Sequence, residues 1–161
     1  MGRMNENQQN IRASLLDRLI DHEPELSQEP VQYRLTTFRQ VKSAVGRDLE
    51  NLLNTKCFTS SNVAECNELD SSLFTYGLPD FTSANPRSPS VKQKLRKEIE
   101  KAIAKFEPRL RNVKIQIEEP EINERNLRFK ITALLILDPV TEPVTFDTIF
   151  DVNRCEYSIP K

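Results

Sequence analysis

Glycine is almost missing from this chain, with three in 161 residues. A glycine-rich loop that could cradle a phosphate is therefore excluded. Tryptophan is absent, and the one histidine, His22, stands between Asp21 and Glu23 as an exposed residue with no partner motif for catalysis. Cys57, Cys66 and Cys155 are odd in number and lack a Cys-x-x-Cys spacing, so they read as reduced thiols rather than as metal ligands or a disulfide frame. No apolar run approaches the roughly 20 residues that cross a bilayer. The longest, Ile131 to Leu137, has the length of a strand. Residues 1–10 carry no apolar signal core, so a cytoplasmic location is expected, without direct membrane insertion. Neither sign of charge dominates, at 23 basic against 24 acidic residues, which gives no expectation of a nucleic-acid partner. No cofactor or metal site is expected.

What remains is a chain of one-domain length with strong periodicities. Its organising stretch is Ala104 to Leu110. Upstream, Val91, Leu95, Ile99, Ala102, Ile103 and Phe106 recur at helical spacing, and Ser90 with Gln93 resembles a capping box at the start. Downstream, Val113, Ile115 and Ile117 alternate with polar residues, the period of a half-buried strand. Pro108 lacks an amide hydrogen and biases Glu107 away from helical geometry, so the helix should stop by about Phe106. In an extended segment Glu107 and Arg109 point to the same side and form a charged pair at the corner.

Residues 1–30 read as a partly disordered arm. Within it Leu15, Leu16, Leu19 and Ile20 form a short amphipathic helix, either packed on its own domain or docking on another subunit. Residues 31–161 read as a single domain. From Gln32 to Asn54 the positions Leu35, Phe38, Val41, Val45, Leu49, Leu52 and Leu53 predict a core helix. A polar loop over Cys57–Asn67, a helical turn over Glu68–Phe74 and a rigid turn at Tyr76–Phe81 follow, then a loop over Thr82–Ser90. After an acidic connection from Glu118 to Asn126, Leu127–Leu137 and Val144–Val152 predict two further strands around a turn at Asp138–Pro143. The expected class is α+β: N-terminal helices packed on a small, three-stranded, mainly antiparallel C-terminal sheet with two open edges.

The enzymatic constellation to weigh is a pair of carboxylates from among Glu107, Glu118, Glu119, Asp147 and Asp151, as a glycosidase would use. Arg109 should keep Glu107 ionised, whereas a general acid must hold a proton near neutral pH. No catalytic residue is therefore assigned.

Leu15-Leu16-Asp17-Arg18-Leu19, Arg47 to Thr55, Tyr76 to Phe81, Phe106 to Leu110 and Pro143 to Thr148 together resemble the TssE family of type VI secretion baseplate wedge subunits, itself similar to a wedge protein of contractile-tail phages and sometimes labelled lysozyme-like. The resemblance implies a non-catalytic subunit at the cytoplasmic face of the inner membrane. Its implied partners are the wedge subunits TssF, TssG and TssK and the sheath subunits TssB and TssC. It implies docking by Glu107, Pro108 and Arg109, and sheath templating by strand pairing through Leu127–Leu137 and Val144–Val152, with Phe146 and Asp147 at that surface. Leu15, Leu16 and Leu19 join the expected partner-binding set. The competing reading of Glu107 and Arg109 is a clamp within the domain, and an exposed pair of that kind contributes at most about 1 kcal/mol. A generic cytoplasmic adaptor and a peptidoglycan hydrolase are the other function classes.

Overall fold

The computed structural model describes residues 14–19, 25, 37–57, 69, 72–81, 88–118, 126–137 and 140–160. Residues 1–10, Ile11, Ile20, His22, Leu35, Cys66, Glu68, Glu119 and most of the expected loops and linker lie outside them. The chain divides into two units, 1–45 and 46–161.

The first unit contains α1 (Leu15–Leu19) and the first part of α2 (Phe38–Asn54). Ser14 opens α1, accepting from the Asp17 amide and donating to the Asp17 carboxylate at 2.6 Å. Helix α2 begins later than the periodicity from Gln32 implies, because Thr37 and Gln40 form a reciprocal cap. The Thr37 amide donates to Gln40 Oε1 at 2.8 Å and the Gln40 amide to Thr37 Oγ1 at 3.4 Å. Its stripe Val41, Val45, Leu49, Leu52 and Leu53 is buried as the spacing requires.

In the second unit, a single 3₁₀ turn at Leu73–Thr75 is capped by Ser72. Helix α3 spans Pro89–Phe106 and buries Leu95, Ile99, Ala102 and Ile103. Its start differs from the expected Ser90 cap. Pro89 suits the first helical position, where the missing amide costs nothing, so the cap moves to Ser88. Its end is where Pro108 dictates.

Among the described residues the sheet has four strands rather than three, in the order β1 (Leu110–Ile117), β2 (Leu127–Leu137), β3 (Val140–Asp151), β4 (Glu156–Ser158), every neighbour antiparallel. The β3–β4 turn is built by Asp151, whose Oδ1 accepts from the Asn153 and Arg154 amides, with Cys155 at φ 54°. Strand β3 also starts earlier than expected, with Val140 opposite Leu137 and Pro143 opposite Leu134. Val140 and Thr141 favour extended geometry, and Pro143 is tolerated because β4 pairs only Ile149–Asp151. Alternate β2 residues from Leu127 to Leu137 are buried on one face. Strand β2 is interior, with β1 along one side and β3 along the other. It has no edge to offer a partner, contrary to the expectation for Leu127–Leu137.

Candidate functional site: the charged corner

A four-residue turn, Glu107 to Leu110, makes the backbone of the corner. The Glu107 carbonyl accepts from the Leu110 amide at 3.1 Å, closing a β-turn with Pro108 in the position its fixed φ favours. The Arg109 carbonyl then joins the ladder, accepting from the Ile136 amide of β2 at 2.9 Å. Glu107 and Arg109 therefore meet through a turn, not through the extended segment expected from the sequence.

The ion pair is bidentate: Arg109 Nε and Nη2 donate to Glu107 Oε1 and Oε2, each at 2.6 Å. Nη2 also donates to Asp48 Oδ2 of α2 at 2.6 Å, and Arg47 holds the other Asp48 oxygen at 3.2 Å. Glu107 is only 5% exposed. The Glu107 hydrogen bonds, then Asp48, hold the Arg109 guanidinium more firmly protonated than usual despite partial burial. A carboxylate buried this far is tolerable only because both oxygens are paired; stripped of Arg109 it would cost about 3–5 kcal/mol. The corner is thus a clamp within the second unit, joining α2, the end of α3 and the start of β1.

Tyr76 packs edge-on against Phe106, with centroids 5.1 Å apart. Burial first, then the negative charges of Asp48 and Glu107, raise its hydroxyl above the ordinary value. Asp48 and Tyr76 are the corner residues that the spacing argument missed. The legible signal was the Arg47-Asp48 pair on the polar side of α2.

The other expected site residues are spread out. Leu15, Leu16 and Leu19 are 77%, 56% and 81% exposed on α1. Pro108 is exposed at the tip of the corner turn. Phe146 is buried, and a side chain added at Gly46 would touch its ring at 3.7 Å. Register also turns the Phe146 backbone toward Ile131, so the outward groups of β3 belong to Thr145 and Asp147. Of the carboxylates considered for catalysis, Glu107 is clamped and Asp151 is held by its turn. Glu118 and Asp147 stand exposed at 3.8 and 3.7 Å from Lys130. None of these four is a desolvated acid facing a cleft. Among the described residues no cluster could hold a metal ion, and no helix is long and apolar enough to cross a membrane.

Helices with an open antiparallel sheet, and a buried carboxylate clamped by Arg109 at the corner, define a protein of the α+β class. Residues 39–140 match the family of baseplate wedge protein gp25, and the chain belongs to that family. A solved chain from "The baseplate complex from the type VI secretion system" is similar at 18% identity and a TM-score of 0.46, over 69% of this chain and 94% of that one. A search of curated proteins returned no match.

Proposed function

We propose that this chain is a structural baseplate subunit of a type VI secretion system, in which residues 1–30 form an arm and residues 31–161 a wedge domain. It docks on TssF, TssG and TssK through the corner and through Leu15, Leu16 and Leu19 of α1. It offers strand-pairing edges to the sheath subunits TssB and TssC, from a baseplate at the cytoplasmic face of the inner membrane. Membership of the wedge family and the five sequence blocks support the setting. The observation that carries the docking role is the locked corner: the Asp48–Arg109–Glu107 clamp fixes the exposed Pro108 turn rigidly against α2.

Truncating Arg109 tests folding as much as docking, because it strands the Glu107 charge. The cleaner variant is Pro108→Glu, which adds charge to the exposed tip and leaves the clamp groups in place. Affinity purification from the native cell should recover wedge subunits with the wild-type chain and lose them with Pro108→Glu, at an unchanged melting temperature. Equal recovery would return the corner to a purely internal role.

A further inference from the structure

Charge is balanced over the chain but not along it. Residues 88–118, which form α3, the corner and β1, hold nine basic residues against four acidic ones. Between α3 and β1 lies an open groove of about 450 Å³ lined by Lys92, Gln93, Arg96 and residues 114–117. Among the described residues neither Lys92 nor Lys114 has an ion-pair partner, while Arg96 is held by Glu100 at 3.0 Å.

One wall of this groove is a sheet edge. Lys114 and Gln116 face β2, opposite Thr132 and Lys130, so the amides and carbonyls of Ile115 and Ile117 point outward into the groove. The Ile115 amide is occupied by a side chain, donating to Glu100 Oε1 at 3.2 Å, the same oxygen that Arg96 grips. Glu100 therefore sits where the carbonyl of a neighbouring strand would sit, half-buried and supported by a cation. At the other end of β1 the ladder is broken between Arg111 and Lys114, with Asn112 at φ 54°, which confines any added strand to residues 113–117.

We infer that this groove docks an extended acidic segment of a partner protein, whose backbone pairs with Ile115 and Ile117 by displacing the Glu100 carboxylate and whose side chains meet Lys92, Arg96 and Lys114. The two features select the occupant together: outward amides and carbonyls at strand spacing call for a polypeptide strand, and the basic rim calls for acidic side chains. Glu100 satisfies the edge while it is empty, which keeps copies of the chain from pairing there. The inference rests on the strand-pairing reading above and assigns that role to the β1 edge.

The test uses the purified full chain and a blocked octapeptide of alternating threonine and glutamate. Saturable binding is expected by titration calorimetry, with slowed hydrogen exchange at the Ile115 and Ile117 amides. Combining Lys92→Glu with Lys114→Glu should weaken binding at least tenfold, and the threonine–lysine counterpart should not bind. Binding without protection of those two amides, or stronger binding of an oligothymidine, would overturn the inference. In the native cell the same double variant should keep the wedge subunits and lose the sheath. If it keeps both, the groove assignment fails and the baseplate reading stands. If the wild-type chain recovers neither while the peptide still binds, the reverse holds.

Discussion

Gly77 stands at φ 111° beside a parallel bridge between two backbone segments, the Leu78 amide donating to the Thr55 carbonyl at 2.8 Å and the Cys57 amide to the Leu78 carbonyl at 2.9 Å. A Cβ there would overlap the Thr55 carbonyl oxygen, a clash with backbone that no rotamer relieves. Gly77→Ala is expected to cost about 3 kcal/mol, from the left-handed strain together with separation of the two segments, read as a lowered urea midpoint. Thr148 presents the opposite case. It is 1% exposed and, among the described residues, its hydroxyl finds no hydrogen-bond partner. Thr148→Val keeps the branched shape and β-propensity and removes an unpaid desolvation, so stability should rise by about 1 kcal/mol, a melting shift of about 2–4 °C. No loss of stability is compatible with the hydroxyl being unsatisfied. The corner shows the limit of residue spacing as evidence. Glu107 and Arg109 were legible as a pair because they are two apart. Asp48, 61 residues from Arg109, was not, since only the packing of α2 beside the turn brings it within 2.6 Å.

At the scale of elements, α3 and β1 were readable because Pro108 separates a helical period from a strand period with a steric rule. The start of α2 was misread because apolar spacing continues upstream through Leu35, while the boundary is set by the polar Thr37–Gln40 cap. Strand β4 was missed because only Tyr157 in its three residues is buried, too short a pattern to show a period. What holds β4 is long-range: the outward amide and carbonyl of Tyr157 are both taken by the Asn54 side chain, at 2.7 and 2.8 Å. Asn54→Ala leaves two backbone groups unmade and should cost about 2 kcal/mol, with faster exchange at the Tyr157 amide. Asn54→Asp should rescue little, since a carboxylate cannot donate to the carbonyl. Burial, and then the charge of Cys155, raises the Tyr157 hydroxyl well above its ordinary value of 10.0. The folded state therefore holds that proton more tightly than the unfolded chain. The stability is full below about pH 10 and is lost as pH climbs toward the folded value. Urea midpoints measured from pH 8 to 11.5 should fall less steeply for Tyr157→Phe than for wild type.

At the scale of the whole sheet, every outer edge is partly closed, each by a different device. Asn54 seals β4 at Tyr157, and Glu100 with the Asn112 irregularity covers β1. The remaining edge is the first part of β3, before β4 pairs with Ile149. Because Phe146 and Val144 face Ile131 and Ala133, the odd-numbered residues of β3 turn their backbone groups outward, and Pro143 is one of them. Its missing amide hydrogen therefore faces the open edge, where a proline interrupts pairing with another chain and costs the sheet no internal bond. Composition hid this logic, since Pro143 looked like the end of a turn when it is an edge guard inside a strand. Pro143→Val should leave the fold intact by circular dichroism and restore a continuous row of outward donors from Thr141 to Asp147. Light scattering after size exclusion should then show concentration-dependent self-association beyond that of the wild-type chain. A monomer of unchanged mass across the same range would mean that this edge is guarded by something other than its proline.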